Sequence, residues 1–188
     1  MEGVRFCAAI SMGLCIVTRT NESEPGVRAC QTRVLCLGNE LLGDDALGQI
    51  VADRIIPSAS ADTDIVSTPE AGFHLLDYIL NTDRLIVVDT VISGKAPIGT
   101  IYVLRENELK AVAGSAPHYV GLCESFMLAR SLGLPVAKEL IVVAVEVANC
   151  LTVGGEMHSE VRHAVPKIVN IVRTTIIERL QPAITAPL

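Results

Sequence analysis

Short runs of aliphatic and β-branched residues alternate along this chain with stretches whose apolar positions recur every three or four residues. Arg33-Val34-Leu35-Cys36-Leu37 is a compact apolar run that ends at Gly38, the pattern of a buried strand, and Ala46 to Ile56 follows with Leu47, Ile50, Val51 and Ile55 at helical spacing. Asp62 to Ser67 predicts a second strand, and Phe73 to Leu80 a second helix with Leu75, Leu76, Ile79 and Leu80 facing inward. Leu85-Ile86-Val87-Val88 is the clearest strand, uncharged and ending at Asp89. Thr100 to Leu104 alternates less cleanly and predicts an edge strand. A helix is expected from Tyr119 to Ser131, a buried strand from Leu140 to Val147, and a last helix from Glu156 to Leu180. Pro166 falls inside that helix and is expected to kink it or to mark its first turn. Strands and helices in alternation with short connections predict a doubly wound, mostly parallel α/β sheet with helices on both faces, a three-layer α/β/α domain.

Ahead of Arg33 the pattern changes. Asn21 to Gln31 is polar and contains Pro25 and Gly26, which reads as a linker, so residues 1–32 are expected to form an extension and residues 33–188 one α/β domain. Phe6 to Val17 is apolar but shorter than the about 20 residues a bilayer span requires. It also lacks the flanks of a secretory signal, because Arg5 is offset by Glu2. An added strand, a disordered lead-in or an upstream start codon are the remaining readings of this stretch. A chain of 188 residues suits a single core. Half of the residues are hydrophobic and only 3% aromatic, so Val, Ile, Leu and Ala must build that core, a palette suited to buried parallel strands. Six cysteines are scattered without a CxxC pair, which suits a reducing cytoplasm. The formal net charge of −6 gives no footprint for a nucleic-acid backbone.

In an open parallel sheet, ligands sit beyond the carboxyl ends of the strands. Asp44 and Asp45 follow the first strand, Asp89 ends the Leu85–Val88 run, and His118 stands after Pro117 at the head of a helix, so all are expected along one edge. Read singly, each has an ordinary structural use: Asp44 or Asp45 as a helix N-cap, Asp89 as a turn residue, His118 as a capping or surface histidine. Read together, two carboxylates and one imidazole form a donor set suited to nickel, zinc or cobalt, with coordination positions left open for substrate or water. Other candidates are weaker. Gly38-Asn39-Glu40-Leu41-Leu42-Gly43 lacks the glycine pattern that cradles a dinucleotide, and no Gly-Lys-Ser/Thr follows. His74 is expected on the inner or flanking face of the second helix. His158 and His163 are one step off the i, i+4 spacing of paired ligands and read as solvated. Cys123, one turn beyond His118, makes a Cys/His nucleophile pair conceivable, but no third orienting group accompanies it. Glu146 ends the last strand, within reach of the cleft or exposed in a turn.

Several segments carry a family likeness. Gly38-Asn39-x-Leu41-x-x-Asp44-Asp45-x-x-Gly48, Ala71-Gly72-Phe73-x-Leu75-Leu76, Leu85-Ile86-Val87-Val88-Asp89 with Pro97 and Gly99 shortly after, Ser115-x-Pro117-His118-x-x-Gly121-Leu122, and Val161-x-x-Ala164-Val165-Pro166 together resemble the hydrogenase maturation proteases. The resemblance runs from about Arg33 to Leu180. It implies an endopeptidase that removes the C-terminal extension of a nickel-iron hydrogenase large-subunit precursor once nickel has been inserted, so that cutting is a checkpoint for metal insertion. It further implies that Asp45, Asp89 and His118 are the metal-binding and catalytic residues and that the nickel is contributed by the substrate, with zinc or cadmium able to replace it in vitro. Asp44 is then expected to cap the helix, and Gly43 and Gly48 to permit tight turns beside the metal. One departure stands out: Thr68-Pro69-Glu70 occupies the place where many members have Gly-Gly-Thr, giving a stiffer loop. A chaperone that inspects the nickel site without cutting shares every one of these residues, and is the rival reading.

Overall fold

The computed structural model describes residues 30–109 and 117–177, and of residues 30 and 117–120 it describes the backbone. Five strands, β1 (Cys30–Leu37), β2 (Thr63–Thr68), β3 (Thr82–Val91), β4 (Ile101–Arg105) and β5 (Glu139–Glu146), form one sheet in the order β2-β1-β3-β5-β4. All neighbours are parallel except the edge strand β4, which runs antiparallel to β5. Among the described residues four α-helices accompany them: α1 (Leu47–Ile55), α2 (Leu76–Ile79), α3 (Pro117–Ser131) and α4 (Ser159–Ile177). The expected doubly wound, mostly parallel sheet is thus the architecture observed. β1 starts three residues ahead of the boundary expected at Arg33; the rest of the predicted extension lies outside the described residues. Among the described residues no helix is long and apolar enough to cross a membrane.

The two-residue period of the strands explains the layers. Val34, Cys36, Ile86, Val88, Val143 and Val145 face one side and pack with α1 and α4, through Leu47, Val51, Ile55, Val161, Val165 and Ile168. Leu35, Leu37, Leu85, Val87, Val142 and Ala144 face the other, where Leu75, Ile79, Leu122, Phe126 and Ala129 cover them. Strands buried on both faces need no polar alternation, which is why they stand out as continuous apolar runs.

Helix ends follow local chemistry. α1 gives way to a short 3₁₀ turn, Ile56–Ser58, at Pro57, whose ring disfavours a continued α-helix. α3 closes on Gly133 at φ +69°, where the Gly133 N–H reaches the Arg130 carbonyl and the Leu134 N–H the Ala129 carbonyl, a Schellman cap. The second predicted helix is a 3₁₀ turn, Gly72–Leu75, followed by the single α-turn of α2. Pro166 lies inside α4 rather than in its first turn. It sits on the exposed face, so the Arg162 carbonyl that loses its N–H partner lies on the solvent side of the helix.

The sheet order locates the site. From β1 the chain moves outward to β2 and then returns to the far side of β1 as β3, so the topological switch lies between β1 and β3, and a crevice opens at their carboxyl ends. Gly48 fixes how closely α1 enters there: a Cβ at this position would stand 2.1 Å from the Leu37 carbonyl oxygen. Gly48→Ala is therefore expected to push α1 away from β1 and to cost about 1–3 kcal/mol, as overpacking does, read as a lower urea midpoint at unchanged m-value.

Candidate active site

Asp45 and Asp89 meet at the switch point through one residue, Thr90. Asp45 lies in the 3₁₀ turn Gly43–Ala46 after β1 and is 1% exposed. Its Oδ2 accepts the Asn39 N–H at 2.8 Å, and its Oδ1 accepts the Thr90 hydroxyl at 3.0 Å. Asp89, fully buried, accepts the Thr90 backbone N–H on Oδ1 at 2.7 Å. The pleat explains the division of labour. Asp89 shares the face of Leu85 and Val87, toward α2 and α3, while Thr90 turns its hydroxyl to the face of α1 and meets the loop that leads into it. Asp89 is not the residue after the strand, as expected, but lies within β3, paired with Ala144 of β5, because pairing with β5 continues to Val91. Gly38 closes the loop. At φ +142° its Cα lies so near the Asp45 carbonyl that a Cβ would stand 2.1 Å from that oxygen.

His118 lies in the first turn of α3, and its side chain is outside the described residues. The helix that carries it is pinned by Gly121, whose missing Cβ would stand 2.6 Å from the Cα and N of Gly72, and by Ser125, whose hydroxyl donates to the Gly72 carbonyl at 2.9 Å. The start of α3 is thereby docked on the loop after β2, on the sheet face that Asp89 occupies. Among the described residues no three His, Cys, Asp or Glu side chains form a metal-sized cluster.

Asp44 does something other than cap. The residue before the 3₁₀ turn is Leu42, with no side-chain cap, and the N-cap of α1 is Ala46, so Asp44 lies inside the turn and faces away from its free N–H groups. Its carboxylate instead accepts the His158 N–H at 2.6 Å and the Ala148 N–H at 3.3 Å, tying the loop after β1 to the loop between β5 and α4. In that second loop Cys150 is buried, and its thiol is pushed up first by burial, then by the charges of Asp45, Asp89 and Asp44. Three carboxylates thus lie near one thiol.

The remaining candidates separate cleanly. Cys123 is half-buried and its thiol is raised by burial, then by Glu106 and Glu124, so it stays protonated and is a poor nucleophile. His74 is not on an inner or flanking face: it is exposed, 3.6 Å from Glu70, because the helix start there turns Phe73 and His74 outward and buries Leu75. His158 and His163 are exposed, as expected. Thr90 and Cys150 were not distinguishable in the sequence, since neither residue type at a strand end or in a loop carries a pattern of its own.

Glu146 is neither a cleft residue nor an exposed one. It is 2% exposed and accepts the N–H of Ser93 and of Gly94, both at 2.8 Å, the Ser93 hydroxyl at 2.5 Å and the Tyr102 hydroxyl at 3.0 Å. Its main chain also bonds Gly99 and Thr100, so one residue holds both ends of the loop that leaves β3 just beyond Asp89.

The sequence model described as hydrogenase maturation protease matches residues 58–175, a span that contains Asp89 and His118 but begins after Asp45. The chain is 33% identical over 107 residues to the hydrogenase 2 maturation protease of Escherichia coli, a match spanning 53% of this chain and 63% of that protein. It is 27% identical over 154 residues to the hydrogenase expression/formation protein HupM of Azotobacter chroococcum, covering 78% and 71%. Among solved structures it superposes on the E. coli hydrogenase maturating endopeptidase HybD with a TM-score of 0.69 and 26% identity, over 78% of this chain and 92% of that one. The fold is shared as well with HybD of Thermococcus kodakarensis, at TM-score 0.61 and 21% identity, over 77% and 98%.

Burial raises the Glu146 carboxyl, and its hydrogen bonds from Ser93, Gly94 and Tyr102 outweigh that, leaving it below the usual value of 4.5. A carboxyl depressed on folding stabilises the fold above its unfolded pKa and loses that contribution as pH falls through the folded one. Wild-type melting temperature should therefore drop below about pH 4.5 more steeply than that of Glu146→Gln, whose amide keeps partners without titrating. Glu146→Ala should cost about 2–4 kcal/mol at pH 7, since it strands several donors.

Proposed function

This chain belongs to the hydrogenase maturation protease family, and from that premise we propose that it is an endopeptidase which removes the C-terminal extension of a nickel-iron hydrogenase large-subunit precursor after nickel has been inserted. The observation that carries the reading is Thr90, which gives its hydroxyl to Asp45 and its backbone N–H to Asp89 at the switch point of the sheet. His118, in the first turn of a helix docked on the face that Asp89 occupies, is proposed to add an imidazole to those two carboxylates. Such a set contacts a borderline divalent metal while leaving positions for the precursor's own ligands.

In this reading nickel arrives as part of the substrate. Asp45, Asp89 and His118 contact it where it sits in the precursor, and the contact positions the C-terminal extension beside the crevice, so that a precursor without nickel is not held in register for cutting. Asp44 and Glu146 act on loops rather than on substrate: the first joins the β1 loop to the β5 loop, the second keeps the β3 loop in place beside Asp89.

Mass spectrometry of the cognate large-subunit precursor, with and without nickel, tests this directly. Loss of a C-terminal peptide is expected only from the nickel-loaded precursor with wild-type protein. Asp45→Ala, Asp89→Ala and His118→Ala should each slow it by about 10²-fold or more. A stable uncut complex with nickel-loaded precursor would replace the protease by a metal-checking chaperone, and normal cutting by Asp45→Ala would remove that residue from the site.

A further inference from the structure

We infer that the side-chain amide of Asn39 is a substrate-binding donor, giving an N–H to a main-chain carbonyl oxygen of the precursor where the polypeptide passes the acids. The inference rests on the protease reading above and deepens it by naming a group that holds the peptide rather than the metal. Asn39 stands two residues beyond β1, half-buried at the switch point, and its backbone N–H donates to Asp45 Oδ2 at 2.8 Å. Its side chain is oriented as well. Oδ1 accepts the Leu41 N–H at 3.0 Å, the bond of an Asx turn, and the Asn39 carbonyl accepts the Leu42 N–H at 3.0 Å in the same turn. A backbone N–H can only donate, so the atom that meets it is the amide oxygen, and the orientation of the amide group follows from that. The nitrogen, with two protons to give, donates to no group among the described residues. A second asparagine turn makes the contrast. Asn149, between β5 and α4, accepts the Leu151 N–H on Oδ1 at 2.8 Å, but its nitrogen is taken up by the Thr152 hydroxyl. Asn149 thus closes its loop with both ends of the amide, whereas Asn39 uses only one.

The chemistry of the crevice selects what that nitrogen takes. Asp45 and Asp89 are buried carboxylates, which accept hydrogen bonds and offer nothing to another acceptor. A polypeptide drawn in beside them presents a carbonyl oxygen at every residue, and each needs a donor once water is excluded. The Asn39 amide supplies one within the loop that also positions Asp45. It does so without charge. A lysine or arginine at this place would pair with Asp45 and compete with a metal for it; a neutral amide does not.

The test compares wild type with Asn39→Ser and Asn39→Asp. Both keep an oxygen able to accept the Leu41 N–H and both remove the amide nitrogen, the serine without adding charge. Asn149→Ser, which alters the same kind of turn in the neighbouring loop, is the control. Initial rates of cleavage of nickel-loaded precursor give kcat/KM, and thermal melting reads the fold; if wild type holds the precursor uncut, Kd from titration calorimetry takes the place of kcat/KM. Both Asn39 variants are expected to lower kcat/KM about tenfold or more, Asn39→Asp further because its carboxylate repels the carbonyl. Their melting temperatures should stay within about 2 °C of wild type, and Asn149→Ser should keep the wild-type rate. Wild-type kcat/KM in Asn39→Ser would overturn the donor and leave the protease standing, whether or not Asn39→Asp is slow. A loss of rate that comes with a matching fall in melting temperature, or that Asn149→Ser shares, would also overturn it, by assigning Asn39 to the turn alone. Precursor that wild type holds uncut and Asn39→Ser holds about tenfold more weakly would leave the donor standing and remove the protease. Neither cutting nor binding by wild type would overturn both.

Discussion

Thr90 stands between two carboxylates and serves both, giving its hydroxyl to Asp45 and its backbone N–H to Asp89. Carboxylates buried to this depth are costly unless hydrogen-bond donors are aimed at them. The arrangement is tolerable because the donors come from rigid main chain and from a β-branched side chain of restricted rotamer. Everything around it maintains that geometry. Gly38 and Gly48 let the β1 loop and α1 approach closely enough for Asp45 to reach Thr90, and β3 pairs with β5 through Val91, so that Asp89 and Thr90 lie on a strand rather than on a loop. Sites carried on paired strands are held more tightly than sites on free loops.

Two further carboxylates extend the same logic outward. Asp44 uses backbone N–H groups of the β5–α4 loop, and Glu146 uses those of the loop after β3, so each acid organises a segment bordering the crevice without entering it. The acids of this sheet edge therefore divide into a pair bridged at the centre and a pair that frames it.

The strands were legible because burial on both faces leaves uninterrupted aliphatic runs, and the alternation of strands and helices led directly to the sheet type. Asp45, Asp89 and the helix bearing His118 were placed at the right edge by the rule that ligands sit at carboxyl ends. What could not be read was geometry decided by tertiary contacts. Asp44 looked like a helix cap because Asp before a helix usually is one, yet the partner that won was a loop more than a hundred residues away in sequence. Glu146 at a strand end carries no mark of burial, and only the docking of Ser93, Gly94 and Tyr102 around it decides the matter. Thr90 reads as one more β-branched strand residue. His74 was misplaced because the turn Gly72–Leu75 is 3₁₀, with three residues per turn, so a 3.6-residue projection rotates the face.

The central claim is that the bridged acids form the metal-reading surface. Titrating paramagnetic nickel into the ¹⁵N-labelled chain and following amide intensities tests it most directly, because line broadening detects even weak, rapidly exchanging contact. The account predicts that the amides of Asn39 and Thr90, which donate to Asp45 and Asp89, broaden first, while Gly133 and Lys138 at the opposite edge of the sheet keep their intensity. Broadening that begins instead around the exposed His158 and His163, with Asn39 and Thr90 untouched, would contradict it.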